Sequence, residues 1–128
     1  MLKWSLIAVG GGCGSMLRYA MQGLAKQVFA DSVFPVGTVC VNVLGCLLIG
    51  LLSGYFSGPQ LIREEYRIGL TVGVLGGFTT FSTYGLETFN LANGGEFRLA
   101  ALNIVLSNVI GLLAVVVGYR LAEHFVGI

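Results

Sequence analysis

Two 21-residue stretches without a charged side chain, Val36–Phe56 and Leu99–Tyr119, set the strongest limit on how this chain can fold. An α-helix rises about 1.5 Å per residue, so each stretch matches a hydrocarbon layer about 30 Å thick. Two further apolar runs, Trp4–Ala25 and Ile68–Leu86, complete the pattern; the first carries Arg18 and the second no charge. In lipid every backbone polar group needs an internal partner, so such runs fold as helices. Composition agrees: 55% of residues are hydrophobic and 10% charged, against about 25% charged in an ordinary soluble domain. The expected fold is an all-α membrane protein. A single four-helix transmembrane domain covers residues 1–128, with spans at about 4–25, 36–56, 68–88 and 98–119. The span ends are marked by Asp31, Ser32 and Pro35, by Ser57-Gly58-Pro59, and by Asn93-Gly94-Gly95-Glu96.

Several functional classes drop out. The first run starts after a single lysine and continues through Arg18 without a small-residue cleavage site, so a removed signal peptide is not expected. Cys13, Cys40 and Cys46 all fall inside spans with no CxxC spacing, which suggests small packing residues rather than a disulfide framework or zinc site. A net charge of +1 without a basic cluster gives no reason to expect a nucleic-acid partner. Neither a His-Glu-x-x-His motif nor a Gly-x-Ser-x-Gly elbow occurs, and the lone His124 is peripheral. The glycines at 10–14 lack a following Gly-Lys-Ser/Thr, so close helix approach accounts for them better than a nucleotide site. The chain reads as a conduit and not as an enzyme.

The third span is unlike the others. Residues 76–84 read Gly-Gly-Phe-Thr-Thr-Phe-Ser-Thr-Tyr, a polar nonapeptide within a helix-length apolar run. Non-helical backbone at membrane depth survives only inside protein or beside a water-filled cavity, and ion sites are commonly built there. A break near the middle of the third helix is expected. Phe81 and Tyr84 share a face if helix resumes after it, and an anion can approach the positive edge of an aromatic ring. Thr38 and Asn42 are four apart on the second span; Asn42 either meets an ion or serves as interhelical glue. Asn103, Ser107 and Gly111 form a similar line on the fourth span, with Asn108 beside them. Arg18 and Glu87 are ionisable residues at or near membrane depth, which makes them functional candidates, although both can snorkel.

Orientation is weakly specified. One side would hold Lys3, Arg63, Arg67 and Arg120; the other Lys26 and Arg98, joined by Arg18 if it snorkels there. Positive charge in short loops sets topology. A chain this balanced can insert both ways and assemble as a dual-topology antiparallel homodimer.

Taken together, three blocks resemble the Fluc (CrcB) fluoride channel family. They are residues 11–19 ending in Arg18-Tyr19, residues 37–45 containing Thr38 and Asn42, and residues 73–84 continuing to Glu87. The resemblance spans essentially the whole chain. It implies an antiparallel homodimer in the bacterial inner membrane, multi-pass in the lipid bilayer, with two pores exporting fluoride to relieve its toxicity. It also implies a structural sodium ion on the two-fold axis, held by the backbone carbonyls of Gly76 and Thr79. Phe81 and Tyr84 match the pore aromatics, Asn42 the pore asparagine, and Glu87 a glutamate at the pore mouth. Thr38, Thr83 and Ser107 match pore-side hydroxyls, and Arg18 an electrostatic anchor near the vestibule. No acid lies between Ile68 and Leu86, so only carbonyls and hydroxyls are available to a cation there. Gly76 and Gly77 are expected to permit the irregular backbone that frees the carbonyls.

Two departures from the family pattern stand out. Tyr84 replaces a usual phenylalanine, keeping the ring edge and adding a hydroxyl. Asn103 stands where tyrosine is expected, and Gly111 or Leu112 replaces a further hydroxyl. The alternative is a small dual-topology multidrug/proton exchanger, which would place an essential glutamate in its first helix; the first span here has none.

Overall fold

The computed structural model describes residues 1–58 and 62–127. Pro59, expected in the turn after the second span, lies outside them. Helix α1 (Leu2–Val28) is followed by α2 (Val36–Tyr55). Helix α3 covers 64–78 as Glu64–Ile68, a π-helical stretch Gly69–Leu75, and Gly76–Phe78. Helix α4 (Phe81–Asn93) and α5 (Phe97–Val126) complete the chain, α5 containing a π-helical turn at Leu106–Ile110. Among the described residues, α2 and α5 are each long and apolar enough to cross a membrane.

Helix α1 lies along α3 and touches α2, α2 lies along the C-terminal half of α5, and α4 packs on the N-terminal part of α5. The seams are made of glycine. A Cβ added at Gly10 would sit 2.7 Å from Gly69 O, and one at Gly77 would sit 2.5 Å from Gly11 O. On the other side, a Cβ at Gly54 would lie 2.7 Å from Tyr119 O. Small residues let helix backbones touch where lipid removes the hydrophobic drive to associate. The outer surface is apolar instead: Trp4 is 77% exposed, Leu112 70% and Phe125 81%. Large apolar residues turned outward over a glycine-packed interior suit a non-aqueous surround.

Between α3 and α4 the backbone leaves helix for two residues. Thr79 (φ −81°, ψ 158°) and Thr80 (φ −151°, ψ 110°) are extended. Both are β-branched and fit extended backbone well. Thr80 then caps α4, its Oγ1 accepting from the Thr83 N–H at 3.3 Å. The irregular backbone does not fall on the two glycines. Gly76 is helical (φ −61°, ψ −38°), and a Cβ there would find nothing nearer than Thr71 O at 3.9 Å. Gly77 is required by its contact with Gly11, not by its torsions. Among the described residues, Gly95 in the turn before α5 (φ 84°) and Gly127 after it (φ 74°) take the left-handed region.

Candidate functional site

Breaking a helix strands backbone groups, and here side chains from two neighbouring helices take them up. The Thr80 N–H would close a helical bond onto Gly76 O; it donates instead to Asn42 Oδ1 at 2.8 Å. Asn42 Nδ2 donates back to Thr80 O at 3.0 Å, so one carboxamide on α2 grips both polar groups of one residue. Arg18 Nη1 on α1 donates to Thr79 O at 3.1 Å, and Ser15 Oγ to Gly77 O at 3.4 Å. Arg18 is therefore seated on the break. Thr80 is buried, so these bonds matter: an orphaned buried polar group costs about 1–3 kcal/mol.

A cavity of about 360 Å³ opens beside the break, lined by Asn42, Gly76, Thr79, Thr80, Phe81, Tyr84, Ser107 and Asn108 among others. The Phe81 and Tyr84 rings stand 5.3 Å apart at 50°, tilted so that edges as well as faces are presented. Tyr84 is buried, whereas Phe81 is 80% exposed. The second hydrogen of Asn42 Nδ2 is left over after the Thr80 bond, and Asn42 lines the cavity.

A second cavity of about 680 Å³ lies further along α4, lined by Gln22, Lys26, Thr38, Thr83, Glu87 and others. Here Gln22 Nε2 donates to Thr38 Oγ1 (3.0 Å), and Thr38 Oγ1 donates to Glu87 Oε1 (2.9 Å). Glu87 Oε2 is buried without a hydrogen-bond partner among the described residues. Thr80 Oγ1 donates to Thr83 Oγ1 at 2.9 Å, one hydroxyl belonging to the lining of each cavity. A line of polar groups thus runs from Glu87 and Thr38 through Thr83 and Thr80 to Asn42, the ring pair and Ser107.

Of the residues singled out by sequence, Asn42, Phe81, Tyr84, Ser107, Gly76 and Thr79 meet in the first cavity, and Thr38, Thr83 and Glu87 in the second. Arg18 reaches the break from behind. Asn103 lies outside both linings: it is fully buried and donates to Thr88 Oγ1 at 2.8 Å, with Ser107 Oγ donating to Asn103 Oδ1 at 3.4 Å. Sequence reasoning missed Gln22, although its place four residues after Arg18 in an apolar run was a usable signal. It also underrated Asn108, which donates to the Tyr84 hydroxyl oxygen at 3.1 Å.

The donor set also bears on a cation. Among the described residues no three His, Cys, Asp or Glu side chains converge on a point. Gly76 O has lost its helical donor, and Thr79 O keeps one lone pair beyond its bond to Arg18. Both residues line the cavity. Neutral hard oxygens of this kind fit an alkali cation, and two per chain become four only if a second copy adds its pair.

Comparison with known proteins places the chain. A family model described as CrcB-like protein, Camphor Resistance (CrcB), matches residues 5–119. A relative from Maridesulfovibrio salexigens named fluoride-specific ion channel FluC is 40% identical over 126 residues, covering 98% of this chain and 99% of the relative. Relatives bearing the same name include one from Methylobacillus flagellatus, 42% identical over 96% of each chain. Another, from Geobacter metallireducens, is 44% identical over 97% of this chain and 99% of the relative. A match this long at this identity, over a fold whose outer surface suits lipid, means that the chain belongs to the CrcB family of membrane proteins.

Proposed function

We propose that this chain forms a fluoride-selective channel that lets fluoride leave the bacterial cell through the inner membrane. The observation that carries the reading is the cavity in which the helix break, the Phe81–Tyr84 ring pair and a line of hydroxyls and amides converge. The relatives' name supplies the ion. Fluoride is small and strongly hydrated, so a dry passage must replace its water with N–H and O–H donors and ring edges at close range. A constriction sized for it rejects the larger chloride. An inside-negative potential drives anions outward by about 2.3 kcal/mol per charge per 100 mV, so no pump is needed.

The working unit is an antiparallel homodimer of four-span subunits. Phe81 and Gly76 are open in the single chain, consistent with a wall completed by a second copy. On the two-fold axis the Gly76 and Thr79 carbonyls of both copies would hold a structural sodium ion. Its charge, with that of Arg18, lowers the electrostatic cost of bringing an anion close.

Purified protein in liposomes is expected to release fluoride and retain chloride, and to lose most fluoride release when sodium is replaced by a bulky organic cation. Equal release of the two halides, or proton-coupled export of organic cations, would overturn the channel reading. Fluoride flux indifferent to sodium would remove the ion from it. Orientation has its own test. Terminal tags in intact cells are expected to be accessible from both sides in comparable amounts, and a C-terminus found on one side alone would rule out dual topology.

A further inference from the structure

We propose that the Tyr84 hydroxyl is a dedicated hydrogen-bond donor to the permeating anion, set in that role by Asn108; the inference rests on the channel reading above. The direction of the bond between the two side chains follows from a third group. Asn108 Nδ2 lies 2.8 Å from Ile104 O and 3.1 Å from the Tyr84 phenolic oxygen. Ile104 O is a backbone carbonyl and can only accept, so the Asn108 atom facing it must be the nitrogen. A carboxamide nitrogen has two hydrogens. One goes to Ile104 O and the other to Tyr84, which makes the phenolic oxygen an acceptor in that contact. Its own proton is left for something else.

Nothing in the described part of the chain takes that proton, since the only hydrogen bond at the phenolic oxygen is the one it accepts. Tyr84 is buried and lines the 360 Å³ cavity with Asn42, Thr80, Phe81, Ser107 and Asn108. A buried O–H without an acceptor carries a desolvation cost, and an anion entering the cavity removes it. Accepting a bond from Asn108 also polarises the phenol, because hydrogen bonds in series strengthen one another. The ring edge and the hydroxyl then act on the same ion. Phenylalanine at this position would supply the edge alone. Asn108 acts through Tyr84 and is a positioning residue.

Fluoride efflux from liposomes, measured over a range of fluoride concentrations, tests the pair. Tyr84→Phe is expected to lower flux about tenfold at low fluoride, the effect of one hydrogen bond to an ion, and to raise the half-saturating concentration to match. Asn108→Leu, which keeps the volume and removes the donor, is expected to give a smaller loss of the same kind. The double variant should be no worse than Tyr84→Phe, since both changes act on one O–H. Tyr84→Phe conducting with an unchanged half-saturating concentration overturns the proposal, as does a double variant whose losses add. Tyr84→Phe removes a single oxygen, so it remains decisive if Asn108→Leu fails to fold. A wild-type protein that passes no fluoride would sink the channel reading itself, whereas conducting wild type with indifferent variants sinks only this inference.

Discussion

Asn42→Asp is expected to reduce fluoride flux by about a hundredfold or more, the largest effect of any single change of near-identical shape. The carboxamide accepts from the Thr80 N–H and donates to Thr80 O. A carboxylate can keep the first bond and must lose the second, leaving two unprotonated oxygens facing each other. Thr80 O is then orphaned at about 1–3 kcal/mol, and a fixed negative charge stands in the cavity an anion must cross. The orphaned carbonyl acts on stability and the fixed charge on flux, where at about 1.4 kcal/mol per factor of ten a repulsion of about 3 kcal/mol gives the hundredfold loss. Asn42→Leu separates them, since it frees both Thr80 groups without adding charge. Flux is expected to fall less than in Asn42→Asp, while thermal stability falls more. Wild-type flux in a well-folded Asn42→Asp protein would reduce Asn42 to glue between α2 and the break.

The second large effect is on folding. A Cβ at Gly14 would run into Val74 O and come within 2.8 Å of the Phe78 N–H nitrogen. These are backbone atoms one turn before the break and have no rotamer to move aside. Gly14→Val is expected to cost about 1–3 kcal/mol or more through forced separation of α1 from α3. That separation would also lift Arg18 and Ser15 from the carbonyls they satisfy. Gly12→Val is the control: no atom lies within 4 Å of its added Cβ, so its effect should stay within about 0.5 kcal/mol. Melting in detergent followed by size-exclusion chromatography distinguishes the two. Equal melting temperatures would show slack in the α1–α3 seam that the backbone distances deny.

The sequence made the helices legible because uncharged runs of fixed length admit few folds in lipid. It made the neighbourhood of the break legible because hydroxyls in a span need partners. It did not reveal where the backbone would turn. Gly76-Gly77 looked like the breaker because glycine is a poor helix former, yet both residues are helical, and Gly77 is there for contact with Gly11. The turn falls on Thr79-Thr80 because three side chains from distant sequence, Ser15, Arg18 and Asn42, meet the groups it exposes. Pairings across 38 or 61 residues have no local signature. The same holds for Asn42, whose partner turned out to be backbone, and for Gln22, which reaches Thr38 on another helix. For Asn103, placed by sequence on an i, i+4 line with Ser107, the chain supplies a buried partner on another helix, Thr88.

The π-helical turn at Leu106–Ile110 has a consequence for how this chain can vary. A π turn holds one residue more than an α turn, which shifts the angular phase of everything beyond it by about 100°. Before it, residues 97–105 are phased to α4; after it, Gly111–Val126 is phased to α2, with Gly118 against Leu47 O. The two halves of one rod are thus indexed to different neighbours. Substitutions that reshape the cavity wall at 107–108 leave the α2 seam in register, and so does the loss of one residue within 106–110, because the turn then closes as α and Gly118 keeps its seat. Between Gly111 and Gly118 there is no extra residue to absorb a deletion, and losing one there would rotate Gly118 away from Leu47 O. Length can drift within the π turn and not beyond it.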